Sequence, residues 1–137
     1  MMISQFGSGK GASAYAKVGV ESGVMSADPH HLIVMLFDGL ETCIRSARSH
    51  LLAGNIAGKG EAISRAIDIV NRGLIAALDT EKGGDVAVNL GRIYEYVSLL
   101  LLRANLHNDA EALDEAERLI GDISSAWREL GLREKTG

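Results

Sequence analysis

Apolar residues recur every three or four positions along four stretches of the chain, a period typical of amphipathic helices, and no stretch has the alternation of a strand. The predicted helices cover about 29–53, 59–79, 85–107 and 109–130. Asp28 followed by Pro29 supplies an N-cap acceptor and a proline at the first helical position. Because the connections are short, we expect an all-α fold: an antiparallel up-down four-helix bundle over residues 28–131.

The third predicted helix is apolar on two opposite sides. One side carries the residues expected in the core, which are Leu90, Ile93, Tyr94, Val97, Leu101 and Ala104. The other side, roughly 180° away at about 100° per residue, carries Val88, Leu99, Leu102 and Leu106. A helix that is apolar all round is either central in its domain or keeps one face for a partner. We therefore predict that the second side binds a partner or is covered by another part of the chain.

A second candidate surface lies on one flank of the first helix, at Leu32, Met35, Gly39 and Cys43. A glycine inside a helix costs about 1 kcal/mol relative to alanine. Gly39 therefore indicates either close approach of a neighbouring helix or room for a foreign backbone. The sequence leaves both interpretations open.

Residues 1–27 are predicted to form a flexible N-terminal arm, and residues 132–137 a short C-terminal tail. The arm contains five glycines but also Tyr15, Val18 and Val20, which a purely solvated segment would have little use for. An exposed apolar groove needs a cover when its partner is absent. We expect these three residues to act as a reversible lid that either competes with a bound partner or packs on it.

Composition excludes several classes of function. The formal net charge of -4 and the isoelectric point near 5.5 argue against nucleic-acid binding through a basic field. No window approaches the ~18 apolar residues of a membrane span, so no direct membrane insertion is expected. The first residues lack the apolar core of a signal peptide. With a single cysteine, Cys43, the chain fits a reducing compartment, and we expect a cytoplasmic protein.

No set of residues suggests catalysis, a metal or a cofactor. The histidines, at His30, His31, His50 and His107, are not accompanied by the Glu-x-x-His pairs of a di-metal bundle, so solvated side chains are the simpler interpretation. The segment from Gly7 to Gly11 lacks the spacing of a phosphate-binding loop. We predict that the protein is not an enzyme.

Several distinctive segments follow one another along the chain. They are A-Y-A-K-V-G-V-E-S-G-V-M-S-A-D-P-H-H-L-I-V-M-L-F-D-G at 14–39, K-G-E-A-I-S-R-A-I-D-I-V-N-R-G-L at 59–74, L-D-T-E-K-G-G at 78–84, N-L-G-R-I-Y-E-Y-V at 89–97, A-N-L-H-N-D-A-E-A-L-D-E-A-E at 104–117 and the late Trp127. In this order they resemble the flagellin export chaperone family, FliS. The resemblance covers about residues 14 to 130. Departures occur at Leu99 and Leu100, where relatives carry basic residues, and at Ala12, where a larger aliphatic residue stands in some.

The resemblance implies a cytoplasmic helical chaperone that holds the disordered C-terminal segment of flagellin before type III export. It also implies a transient contact with the membrane component of the export gate, to which the cargo is handed over. The alternative is a regulatory protein that sequesters another flagellar control protein through the same groove. The sequence alone does not separate these two functions.

Overall fold

The computed structural model describes residues 28–136, with side chains described as far as residue 132. Four helices, α1 to α4, span Pro29–Leu52, Ile56–Asp68, Thr80–His107 and Ala110–Thr136, and a π-helical segment, Ile69–Ile75, continues α2. Residues 28–136 contain no strand, which confirms the all-α helical bundle. The predicted arm, with Tyr15, Val18 and Val20, lies outside the described residues.

Side-chain caps explain where the first two helices begin. The Asp28 carboxylate accepts a hydrogen bond from the His31 amide at 2.7 Å, as expected of the N-cap. The Asn55 side chain accepts from the Gly58 amide at 3.0 Å. This second cap makes α2 begin at Ile56, three residues earlier than the sequence predicted.

The break before the third helix lies earlier than predicted, because residues 76–79 are non-helical and most of the predicted break is helical. The Asp79 carboxylate accepts hydrogen bonds from the amides of Glu81 and Lys82, both at 3.1 Å, so α3 already begins at Thr80. Gly84 alone departs from helical geometry, with φ 54° and ψ −133°. Only glycine adopts this conformation readily. The helix predicted from residue 85 is thus the longer part of a kinked helix.

The ends of the second and fourth helices also differ from the prediction. The second helix was expected to be α-helical to residue 79, but it is π-helical from Ile69 to Ile75. The tail predicted from residue 132 is helical as far as Thr136. Gly131 lies inside α4 and does not end it; an added Cβ at this position would overlap with the ring of His30.

The core is a continuous apolar cluster to which all four helices contribute. Its fully buried side chains include Phe37, Ile63, Leu101 and Leu113. Tyr94 is also buried, and burial raises the pKa of its phenol to about 12.

Contacts near the helix ends show that α1 and α4 run in opposite directions. His30, near the start of α1, stacks on Trp127, near the end of α4, with ring centroids 4.8 Å apart. At the other end, the guanidinium of Arg48 forms salt bridges to Asp114 at 2.9 Å and Glu117 at 2.6 Å. Side-chain contacts therefore join α1 to α4 near both ends of these two helices.

A buried lysine joins α2 to the end of α3. The ammonium of Lys59, a residue only 2% exposed, donates to the backbone oxygen of Asn105 at 2.9 Å and to the side-chain oxygen of Asn108. Asn108 ends α3 in the left-handed conformation, with φ 53°. The positive charge thus lies at the negative end of the α3 dipole, where it is favourable.

Candidate partner-binding surfaces

The side of α3 that points away from the core forms the first candidate surface, which we call the outer face of α3. It consists of Val88, Leu99, Leu102 and Leu106, whose exposed fractions are 41%, 62%, 45% and 67%. Val97, Leu101 and Ala104 on the opposite side are fully buried. The prediction that α3 has two apolar sides, one in the core and one away from it, is confirmed.

Charged residues on this face have no counterpart within the bundle. Arg92, Glu95 and Arg103 are exposed, and their side chains form no salt bridge or hydrogen bond with any residue between 28 and 132. The neighbouring Tyr96 differs, because its hydroxyl donates to Glu115 of α4 at 2.6 Å. This hydrogen bond raises the pKa of Tyr96. The exposed leucines therefore form the outer face itself, whereas Arg103, whose charge acts to lower the pKa of Tyr96, lies near the border with α4.

The second candidate surface is an open groove of about 560 Å³ between α1 and α2, which we call the α1/α2 groove. Its lining residues are Asp38, Gly39, Thr42, Cys43, Arg65, Asp68 and Ile69. An added Cβ at Gly39 would lie 3.5 Å from Cδ1 of Ile69, an ordinary contact distance. Helix packing therefore does not require this glycine, and its effect is to deepen the groove.

The flank predicted from the sequence reaches beyond the groove: Gly39 and Cys43 line it, and Leu32 and Met35 do not. Met35 and Leu32 lie one and two turns before Gly39 on the same side of α1; Met35 is 39% exposed and Leu32 half-buried. Cys43 lies one turn after Gly39, and burial raises the pKa of its thiol against the opposing charge of Arg65. The wall of the groove thus includes a half-buried thiol whose deprotonation is disfavoured.

Both surfaces carry predicted site residues, but they are distinct. No residue of α3 lines the groove, and α2 packs against both α1 and α3. A partner that contacts both surfaces must therefore cross α2, cross α4 and α1, or pass round an end of the bundle.

Comparison with known proteins identifies the family. Residues 11–134 match the family model described as "Flagellar protein FliS". The "Flagellar secretion chaperone FliS" of Salmonella typhimurium is 52% identical over 120 residues, which are 88% of this chain and 89% of the relative. This chain belongs to the FliS family. The corresponding chaperone of Escherichia coli is 43% identical over 88% of both chains, and FliSB of Pseudomonas aeruginosa is 40% identical over 86% of this chain and 93% of the relative.

Membership of the FliS family makes the protein a flagellar export chaperone and not an enzyme. Within residues 28–136, no cluster of histidine, cysteine or acidic side chains is arranged to hold a metal ion. In the same region no helix has the length and apolarity needed to cross a membrane. The functional sites of such a protein are surfaces, and the two described above are the candidates.

Sequence reasoning missed the partner of one histidine. His30 was interpreted as solvated, but its Nε2 lies 2.6 Å from the backbone oxygen of Trp127, while Nε1 of Trp127 donates to the backbone oxygen of His30 at 3.1 Å. These residues are 97 positions apart, so no local pattern could reveal the contact. The contact holds the first turn of α1, close to Leu32, against α4.

Proposed function

We propose that this FliS family member binds the disordered C-terminal segment of flagellin in the cytoplasm, prevents its premature polymerisation and delivers it to the membrane component of the flagellar export gate. The observation that carries the proposal is the outer face of α3. Three leucines project from it although burying them would stabilise any soluble protein. An exposed face of this kind is expected in a protein whose function is to cover an apolar segment of another chain.

The spacing of these leucines suits a helical partner. Leu99, Leu102 and Leu106 follow the i, i+3, i+7 pattern by which one helix lies against another. A segment that is disordered when free must recover the entropy lost on ordering from a large, mostly apolar contact. The outer face offers such a contact without change in the fold of the chaperone.

The α1/α2 groove supplies a second contact for the same cargo. A disordered segment wraps over separated surfaces at little cost, since it has no fold of its own to preserve. Gly39 leaves space for an apolar side chain of the cargo beside Ile69. Two contacts on one segment increase affinity through effective concentration.

In the same proposal, residues 1–27 cover part of the α1/α2 groove when cargo is absent. The arm joins the bundle at Asp28, beside the end of α1 that carries Leu32 and Met35. Tyr15, Val18 and Val20 are the apolar residues available for this contact. A lid that competes for the groove lowers the apparent affinity by the fraction of time it is closed. Removal of residues 1–24 should therefore strengthen flagellin binding, whereas Tyr15→Ala weakens it if the ring instead packs on bound cargo.

Calorimetric titration with the isolated C-terminal segment of flagellin tests the proposal. We expect one-to-one binding with a clearly negative heat-capacity change, the mark of buried apolar area. A segment of equal length and composition in scrambled order is the control. Absence of binding at tens of micromolar would refute the flagellin assignment. If a flagellar control protein saturated the chaperone one-to-one while the flagellin segment did not, the alternative regulatory function would replace it.

A further inference from the structure

The outer face of α3 carries one charge on each side of Leu99. Glu95 precedes this leucine by four residues, and Arg103 follows it by four. Both charged side chains are exposed, and neither forms a salt bridge with a residue between 28 and 132. Within the same range, the arginines that pair with a carboxylate all lie outside α3, at Arg45, Arg48, Arg65, Arg72 and Arg128. The charges beside Leu99 therefore form no ion pair that holds the bundle together.

These two charges lie on a diagonal across the apolar face. Their separation of eight residues places them about 12 Å apart along the helix axis, each about 40° to one side of Leu99. Arg103 lies on the side of α4, where its charge acts on Tyr96, and Glu95 lies on the other side. A partner helix with an apolar residue on Leu99 therefore has one of its turns beside each charge.

The diagonal distinguishes the two directions in which a helix can lie on this face. In an antiparallel partner, the turn before the central apolar residue faces Arg103 and the turn after it faces Glu95; in a parallel partner these contacts are exchanged. Consider a helix with an acidic residue four positions before its central apolar residue and a basic residue four positions after it. Such a helix meets opposite charges when it is antiparallel and like charges when it is parallel. The acid-first order also suits the partner helix itself, because its dipole favours acidic residues towards the N-terminus and basic residues towards the C-terminus.

Building on the proposed binding of flagellin to this face, we propose that Glu95 and Arg103 are specificity-determining residues that fix the direction of the bound helix. The helical part of the flagellin segment lies antiparallel to α3. Its apolar residue on Leu99 has an acidic residue one turn before it and a basic residue one turn after it. The leucines supply the apolar contact area, whereas the two charges select the direction of the cargo helix.

Two synthetic helical peptides test the direction on the full-length chain, without flagellin and at low salt, where exposed pairs are least screened. Both have the same composition, the same leucine stripe and a hydrocarbon staple on the opposite side. One has glutamate four residues before the central leucine and lysine four after it, and the other has these two exchanged. A photo-crosslinker at the N-terminus of each peptide, mapped by mass spectrometry, reports the end of α3 beside which it lies. We expect the acid-first peptide to crosslink near Leu106 and the base-first peptide near Val88.

A double variant, Glu95→Arg with Arg103→Glu, reverses the diagonal and keeps the net charge. We expect each peptide to reverse its direction on this variant, which a purely structural role of the two residues would not produce. Circular dichroism and urea unfolding should match the wild type, because both positions are exposed. The matched control exchanges two exposed charges near the start of α3, Glu81→Arg with Lys82→Glu, and should leave both directions unchanged.

The flagellin segment provides a second arm of the experiment. In calorimetry, the double variant should bind it between about threefold and tenfold more weakly than the wild type, because two attractions become two repulsions. The control variant should bind it as the wild type does.

Several results would overturn the proposal. They are the absence of a crosslink from either peptide to α3, the same direction of both peptides on the wild-type chain, and unchanged directions on the double variant. Equal flagellin affinity of the double variant and the wild type would also overturn it, while leaving flagellin binding itself intact. A flagellin segment that binds neither chain would instead refute the flagellin assignment, and the peptides would still decide whether the face distinguishes direction.

Discussion

Replacement of Leu99 by glutamate separates a binding face from a core face. The structure leaves 62% of this side chain exposed in the free protein. Full burial of a leucine contributes about 1.5–3 kcal/mol, and a little over a third of that contribution is present here. Leu99→Glu should therefore lower the free energy of unfolding by at most about 1 kcal/mol, since leucine and glutamate have similar helix propensities.

The same substitution at a core position has a different magnitude. Ala116 on α4 is fully buried, so Ala116→Glu forces a carboxylate into the apolar core or opens the packing around it. Changes of this kind cost about 4 kcal/mol or more. Urea unfolding followed by circular dichroism measures both variants. Comparable destabilisation by Leu99→Glu and Ala116→Glu would show that the assignment of the two sides of α3 is wrong.

For Leu99→Glu, the loss of cargo affinity should be larger than the small loss of stability. If flagellin covers Leu99, the variant loses the apolar area that binding would bury and must desolvate a carboxylate. Together these terms predict a loss of affinity of more than about tenfold. Leu52→Glu, at a leucine 76% exposed near the end of α1, introduces the same charge outside both candidate surfaces. Calorimetry should give wild-type affinity for this control; equal affinity of both variants would exclude the outer face of α3 as the cargo site.

Three further substitutions test other parts of the structure. Gly39→Ala should raise the free energy of unfolding by about 0.5–1 kcal/mol, because the new Cβ makes an ordinary contact with Ile69 and alanine loses less backbone entropy than glycine on helix formation. Because the new methyl group fills part of the groove, the variant should bind flagellin several-fold more weakly in calorimetry. Unchanged affinity would exclude the groove as a cargo site. Tyr94 has a folded-state pKa of about 12, above its unfolded value near 10. Its contribution of roughly 2–3 kcal/mol to the free energy of unfolding is therefore present below pH 10 and lost as the pH rises from 10 to 12. Tyr94→Phe should remove this alkaline loss of stability in unfolding measured against pH, and an unchanged profile would assign the loss to other groups. Lys59→Met should lower the free energy of unfolding by about 1–3 kcal/mol, since the backbone carbonyl of Asn105 loses a buried hydrogen-bond donor. An unchanged free energy in urea unfolding would mean that the ammonium makes no net contribution to stability.

The local features of this fold follow from the sequence. The period of the apolar residues predicts the four helices, and on α3 it assigns Leu101 to the core and Leu102 to the outside, as the exposed fractions show. The cap at Asp28 is also local, because it depends on a donor three residues away. Such features are set by neighbours within one or two turns.

The long-range features do not follow from the sequence. Lys59 lies in a stretch that predicts only the start of a helix, yet its partners are 46 and 49 residues away. The close approach of the His30 ring to Gly131 joins residues about one hundred positions apart. The π-helical segment also has no signature in the apolar period. Exposure of the α3 leucines is established, whereas their role in binding remains a prediction.

Site-specific photo-crosslinking tests the central claim, that flagellin lies on the outer face of α3, most directly. A benzophenone amino acid replaces Leu102 in one variant and Leu52 in another; both positions are exposed, but only Leu102 belongs to the outer face. Each full-length variant is irradiated with the C-terminal segment of flagellin, and the products are mapped by mass spectrometry. The account predicts a crosslink to flagellin from position 102 and none from position 52. Binding without a crosslink from position 102, or equal crosslinking from both positions, would contradict it.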